Sequence, residues 1–174
     1  MSPLRLTAIA SATALLVACG GSDDNDGPQR GELLDPAATV ATLTAAQIDA
    51  ASAQSGVQAA SGAAKCGVKV VALNYATIGA KGESGANASG VLLVPTGTDP
   101  VCTNPAPLVA YARGTNVLKT RTLADPQDGE TFSLIAFFAA QGYAVVATDY
   151  LGYAKSTYTY HPYLDAASEG SSVV

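Results

Sequence analysis

One turn of the chain carries the residues best suited to catalysis. It follows the apolar run 107–111 and contains Arg113, Gly114 and Thr115. A glycine in such a turn permits positive φ and lets another group approach the backbone closely, so the N–H groups stay accessible. Backbone N–H groups held in this way can stabilise a negative oxygen that develops during a reaction. Gly114 and Thr115 are therefore the candidate donors of an oxyanion site.

The elements on either side of this turn predict a βαβ unit. Residues 107–111 form one apolar run, residues 130–141 have the pattern of an amphipathic helix, and residues 143–148 form a second apolar run that ends at Asp149. Strands that alternate with helices of this length are typical of parallel, buried strands. Asp128 is the candidate N-cap of the helix. The turn would thus lie between a strand and the helix that follows it.

The upstream part of the chain predicts an antiparallel hairpin. Residues 68–75 and 88–95 are strand-like runs joined by a polar, glycine-rich loop. Ser84 lies in this loop, within G-E-S-G-A, so Ala86 stands where the nucleophile motif G-x-S-x-G needs its second glycine. We therefore interpret Ser84 as a loop serine. Residues 45–54 predict a surface helix, because a capping box precedes them.

Composition limits the classes of protein that this chain can represent. The 174 residues are enough for one domain, and with 48% apolar and 13% charged residues the chain is globular rather than disordered. The net charge of −5 comes without a basic patch, so we predict no nucleic-acid partner. No pair of His or Cys residues has the spacing of metal ligands, so we predict no metal and no cofactor.

The first residues have the pattern of a targeting signal. Residues 1–18 contain one basic residue, Arg5, and an apolar run that is too short to span a bilayer. The run ends in L-V-A-C at Cys19, which resembles the lipobox of bacterial lipoproteins. That resemblance implies a signal peptide over residues 1–18 and acylation of Cys19. The alternative is an ordinary secretory signal that happens to contain a cysteine.

The lipoprotein interpretation also predicts where the protein is located. Residues 19–34 would be the lipidated N-terminus and a flexible tether, rich in Gly, Ser, Asp and Asn. The partner would be a membrane, bound through the acyl chains. Gly20 after the cysteine resembles lipoproteins sorted to the outer membrane, so we expect a bacterial envelope protein on its periplasmic or surface face.

Two cysteines remain if Cys19 is lipidated. They are Cys66 and Cys102, and each lies shortly before a predicted strand. The cell envelope is oxidising, so a disulfide between them is the natural pairing. The alternative is two free, buried thiols.

The order of the predicted elements resembles the N-terminal half of the α/β-hydrolase fold. The segments A-Y-A-R-G-T, A-A-Q-G-Y-A-V-V-A-T-D-Y-L-G-Y and H-P-Y-L are similar to bacterial envelope esterases and secreted lipases of that superfamily. The similarity covers residues 68–174. We therefore expect residues 35–174 to form a partial α/β-hydrolase domain, with a hairpin and a βαβ unit of a mostly parallel sheet.

The resemblance implies roles for four polar positions. One oxyanion N–H would come from Gly114 or Thr115. Many relatives have His where this chain has Arg113, which would either pair with Asp149 or contact a substrate carboxylate; we favour the pairing. The triad acid and base follow the nucleophile in this family. Asp149 is therefore not the triad acid, and His161 is not the base but packs with Pro162 and nearby tyrosines.

The same resemblance places the nucleophile beyond Val174, after one more helix and strand. We therefore expect the N-terminal part of a lipid-anchored serine ester hydrolase, of the esterase or lipase type, whose substrate is an ester. The segment would supply part of the oxyanion hole, would be truncated before the nucleophile elbow and would be inactive by itself. The alternative is a non-catalytic envelope lipoprotein that uses the scaffold for binding or has no present function.

Overall fold

A five-stranded mixed sheet forms the centre of the computed structural model, which describes residues 27–173. Three of its four strand pairings are antiparallel, and the fourth, between the last two strands in sequence, is parallel. The spatial order is β1-β2-β3-β5-β4. The strands are β1 (Ala38–Leu43), β2 (Gly67–Thr77), β3 (Ala86–Thr96), β4 (Leu108–Ala112) and β5 (Ala144–Thr148).

The helices predicted at residues 45–54 and 130–141 are both present, the second as a helix that ends at Phe137 and is followed by a 3-10 turn. A helix and a 3-10 turn connect β4 to β5 and complete the βαβ unit. The α/β fold class is therefore confirmed, and so is the hairpin, in which β2 and β3 pair over their whole length. The helices are α1 (Ala45–Ser55), α2 (Gln58–Ser61), α3 (Pro100–Thr103), α4 (Gly129–Phe137) and α5 (Ala166–Ser172), and the 3-10 turn is Ala139–Gln141.

The core lies between one face of the sheet and helices α1 and α4. Its side chains alternate along β2, β3 and β5, as expected for strands with one face on a core. Burial of this apolar surface is the main term that holds helix to sheet. The fully or almost fully buried members are Ile48, Val68, Val70, Val91, Leu93, Leu123, Leu134, Ile135, Ala139, Ala140, Val145 and Ala147.

The first strand and the segment before it differ from the prediction. Strand β1 pairs with β2, although the Ala-rich residues 36–43 have little intrinsic preference for a strand. Pairing with the existing edge of β2 overrides this weak preference. The predicted tether extends to residue 34, yet the domain begins earlier. The Gly31 and Leu34 N–H groups donate to β2 carbonyls at 2.8 and 2.9 Å, and Arg30 Nε donates to the Ser171 carbonyl of α5 at 2.9 Å.

The predicted signal peptide, Cys19 and most of the tether lie outside the described residues. Within residues 27–173, every helix is too short or too polar to cross a bilayer.

The Cys66–Cys102 disulfide is confirmed. The two Cα atoms are 5.7 Å apart, and the bridge joins residues separated by 36 positions. The N–H groups of Lys65 and Cys66 both donate to the Ala140 carbonyl at 2.9 Å, which places the bridge near the start of β5. The bridge is therefore at the opposite end of β5 from Asp149.

Replacing Cys66 and Cys102 together by alanine should lower the free energy of unfolding by about 3–4 kcal/mol, because the loop between them regains its freedom in the unfolded chain. Urea unfolding followed by circular dichroism measures the difference. Cys19→Ala is the matched control and should leave the free energy of unfolding unchanged. A double variant as stable as the parent protein would contradict a stabilising role for the bridge.

Candidate active site

A cleft of about 120 Å³ opens where β4 and β5 end. The two strands are parallel, so their carboxyl ends meet at the same edge of the sheet, which is where ligands bind in open α/β sheets. The cleft contains the predicted turn together with residues from the segment after β5. Its walls are formed by Arg113, Gly114, Thr115, Asn116, Tyr150, Tyr153, His161, Tyr163, Leu164 and Glu169.

Asp149 ends β5 with a fully buried carboxylate. Its Oδ2 accepts hydrogen bonds from the Ser89 hydroxyl at 2.7 Å and the Thr122 hydroxyl at 2.9 Å, and its Oδ1 accepts one from the Leu123 N–H at 2.7 Å. A buried carboxylate is tolerated only when such donors replace its hydration. Asp149 therefore joins β3 and the loop before α4 to the end of β5.

Arg113 pairs with Asp149, as we favoured from the sequence. The Arg113 Nη1 lies 3.8 Å from Asp149 Oδ1, and the guanidinium carbon lies 4.7 Å from the centre of the Tyr153 ring. The side chain is 1% exposed, and its three nitrogens have no hydrogen-bond partner within the described residues. Charge attraction and stacking on an aromatic face therefore hold this cation.

The Gly114 N–H is already engaged. It donates to Glu130 Oε1 at 2.8 Å, and the Tyr111 hydroxyl donates to the same oxygen at 2.7 Å. Gly114 is not among the glycines with positive φ, so the turn does not use that conformational freedom. The Gly114 N–H, one of the two candidate oxyanion donors, thus points to a carboxylate of α4.

The Thr115 N–H is the other candidate donor. No hydrogen bond within residues 27–173 has this N–H as its donor, and Thr115 lines the cleft. Thr115 is exposed, so solvent or a ligand can reach this N–H. An accessible, unengaged N–H at the end of a strand suits the binding of a negative oxygen.

His161 lies in the wall of the cleft among tyrosines, as the sequence predicts. Its Nδ1 is 3.1 Å from the Leu151 carbonyl oxygen, so Nδ1–H is the donor of that hydrogen bond. Its ring centre lies 4.9 Å from that of Tyr153 and 5.8 Å from that of Tyr150. The Nε2 atom is 3.8 Å from Glu169 Oε1. The ring is therefore oriented by a backbone carbonyl and by aromatic packing.

Ser84 is not among the residues that line the cleft. It lies in the exposed loop between β2 and β3, as expected of a loop serine. No three His, Cys, Asp or Glu side chains of residues 27–173 lie close enough to hold a metal ion.

Glu130 is the site residue that sequence reasoning missed. From its position in the sequence, Glu130 is only an acidic residue in the first turn of a helix, where negative charge is favourable. Arg121 Nη2 donates to Glu130 Oε2 at 2.8 Å, beside the contacts with Tyr111 and Gly114. Burial acts to raise the pKa of Glu130, but the hydrogen bonds from Gly114, Tyr111 and Arg121 outweigh it and lower that pKa. The carboxylate is thus held ionised.

Solved structures of an esterase resemble this chain in sequence and in fold. The rice cell wall degrading esterase LipA from Xanthomonas oryzae is 41% identical, with a TM-score of 0.72 over 84% of this chain and 36% of LipA. Its ligand-bound form is 40% identical, with the same TM-score and coverage. The chain therefore spans little more than a third of the length of LipA. No protein-family model matches the chain, and no curated protein matches it either.

A more distant structure supports the fold alone. A candidate hydrolase from Legionella pneumophila is 19% identical, with a TM-score of 0.65 over 81% of this chain and 37% of the other. Together these structures show that the described residues have the fold of an esterase- or hydrolase-like domain. The expected α/β-hydrolase type of architecture is thus confirmed.

Asp149→Asn should lower the free energy of unfolding by about 3–5 kcal/mol, because it leaves the buried Arg113 cation without its counter-charge. The Asn amide also has a single acceptor oxygen, so it cannot accept both from the hydroxyls of Ser89 and Thr122 and from the Leu123 N–H on the other side. Ser89→Ala is the matched control and should cost about 1–3 kcal/mol, because it removes a single donor. Urea unfolding measures both. If Asp149→Asn costs no more than the control, the charge pair does not stabilise the cleft.

Proposed function

We propose that this chain is the N-terminal part of a serine ester hydrolase and that the Thr115 N–H is one donor of its oxyanion hole. The observation that carries the proposal is an N–H group without an acceptor in the described residues, on a residue that lines a cleft at the end of β4. The chain is similar to the esterase LipA over 84% of its length. An ester hydrolase needs such a donor for the oxyanion of its tetrahedral intermediate.

The sheet itself supports a continuation of the enzyme. Strand β4 pairs only with β5 among the described strands, so its other edge has free N–H and C=O groups. Leu108 on this strand is 63% exposed. Natural proteins rarely leave such an edge open, because it favours association with other chains. A further strand bearing the nucleophile would cover this edge and would bring the nucleophile beside the turn.

The substrate class that we propose is based on the similarity of this chain to LipA. LipA is described as an esterase that degrades rice cell walls. We therefore propose a carboxylic ester as the substrate class, with esters of plant cell-wall material as one group to include in an assay. Fold does not fix substrate, so short aryl esters should be tested alongside them.

The first experiment reads the coding DNA beyond the Val174 codon in all three frames and expresses the longest polypeptide that it encodes. We expect a helix, a strand and a G-x-S-x-G motif, and hydrolysis of aryl esters by the product. A stop in every frame before such a motif would instead favour a lipid-anchored envelope protein without catalysis, which is the alternative function.

Thr115→Pro should lower kcat of that polypeptide by about 10²- to 10³-fold, because proline has no N–H to donate to the oxyanion. Thr115→Ala is the matched control, since it keeps the N–H and removes only the side chain, and its kcat should stay close to that of the parent protein. Circular dichroism shows whether both variants are folded. A folded Thr115→Pro protein with the parent kcat would overturn the assigned role.

We also propose that Cys19 is the lipidated N-terminus and that the mature protein is held at the outer membrane. The proposal is supported by the L-V-A-C sequence and by the short apolar run before it. Two or more acyl chains give stable membrane attachment, because each buried CH₂ contributes about 0.8 kcal/mol.

Cys19→Ala should abolish incorporation of a labelled fatty acid and should move the protein from the membrane fraction to the aqueous phase of a detergent partition. Cys66→Ala with Cys102→Ala is the control, because these residues are bridged and should not be acylated. Label that persists in the Cys19→Ala protein would contradict the anchor.

A further inference from the structure

One carboxylate connects the turn of the cleft to three separate parts of the chain. Glu130 Oε1 accepts from the Tyr111 hydroxyl on β4 and from the Gly114 N–H of the turn, at 2.7 and 2.8 Å. Glu130 Oε2 accepts a hydrogen bond at 2.8 Å from Nη2 of Arg121, which lies in the loop before α4. Glu130 is itself in the first turn of α4, after the N-cap Asp128. Its position is therefore fixed by a helix, a strand and a loop together.

This contact fixes the direction of the first of two successive N–H groups in the turn. The peptide unit between Arg113 and Gly114 is planar, so a hydrogen bond from its N–H fixes the orientation of the whole unit. That N–H points to Glu130, which is not part of the cleft wall. The next N–H, of Thr115, has no acceptor in the described residues and belongs to a residue of the cleft wall. Glu130 thus binds the Gly114 N–H, and the Thr115 N–H that follows it is left without an acceptor among the described residues.

We propose that Glu130 is a positioning residue that holds the Gly114 N–H out of the cleft and thereby sets the turn so that the Thr115 N–H can donate to the developing oxyanion. The proposal rests on the proposed function, because it concerns a donor of the ester hydrolase. A donor that is held in place before the reaction needs no reorganisation as charge develops.

The charges around Glu130 suit a permanent contact. Hydrogen bonds to an ionised carboxylate are shorter and about twice as strong as neutral ones. Arg121 binds the carboxylates of both Asp128 and Glu130, and the first turn of a helix favours negative charge. The hydrogen bond to Glu130, with burial second, raises the pKa of Tyr111 to about 12, so this hydroxyl remains a donor at physiological pH. The contact therefore persists whenever Glu130 is ionised.

The test compares three variants of the polypeptide that continues past Val174. Glu130→Ala should lower kcat for an aryl ester by about 10- to 100-fold with little change in KM. The Thr115 N–H would then be less well positioned for the oxyanion, which forms only in the transition state and not in the bound substrate. Glu130→Gln should recover most of kcat, since its amide oxygen can still accept from the Gly114 N–H. Asp128→Asn is the matched control. Asp128 binds Arg121 and caps the same helix but does not contact the turn.

The control separates positioning from general stabilisation. Asp128→Asn should lower the free energy of unfolding and leave kcat close to that of the parent protein. Amide hydrogen exchange supplies a second readout: the Gly114 N–H should be protected in the parent protein and exchange faster in Glu130→Ala.

Three results would overturn the proposal. They are a Glu130→Ala protein with the parent kcat, equal losses of kcat in Glu130→Ala and Asp128→Asn, and an unprotected Gly114 N–H in the parent protein. If the parent polypeptide hydrolyses no ester at all, the proposed function fails, and the role of Glu130 fails with it. Hydrolysis that tolerates Glu130→Ala overturns that role alone, so the two failures are distinguishable.

Discussion

The carboxylate of Asp149 is completely buried where β5 ends, and the geometry of the cleft depends on how this charge is compensated. Two hydroxyls and one backbone N–H donate to it, and the Arg113 cation lies 3.8 Å away. Burying an ion is unfavourable unless donors and a counter-charge replace water. The hairpin, the loop before α4 and the turn after β4 are therefore all held around one negative charge.

A second carboxylate completes the arrangement. Asp149, directly after β5, neutralises the charge of the Arg113 side chain, and Glu130 of α4 accepts a hydrogen bond from the Gly114 N–H. Two consecutive residues of the turn are therefore held by different elements. The first residue without such a contact is Thr115. The contacts of Arg113 with Asp149 and of Gly114 with Glu130 thus restrict the movement of the turn beside the cleft. Such restriction is the preorganisation that the proposed oxyanion donor needs.

The sheet supplies a rigid base for this site. Strand β5 has the cleft at one end and the Cys66–Cys102 bridge near the other. Close packing of the middle strands adds to the rigidity: a Cβ atom added at Gly90 of β3 would overlap the Ala147 carbonyl oxygen of β5, so only glycine fits there. The position of the turn is therefore determined by contacts along the whole length of β5.

Local sequence determined the hairpin, the helix after the turn, the pairing of the two domain cysteines and the place of Gly114 and Thr115 after β4. Each of these depends on residues that are near in sequence or, for the cysteines, on elimination. Strand β1 was missed, because its residues form a strand only when the edge of β2 offers hydrogen-bond partners. The role of Glu130 was also decided only by tertiary structure. Its partners Tyr111 and Gly114 are 19 and 16 positions away, and only the packing of α4 against β4 brings them to one carboxylate. Periodicity and capping report on neighbours in the chain, whereas the direction of an N–H group depends on which distant acceptor the fold brings within 3 Å of it.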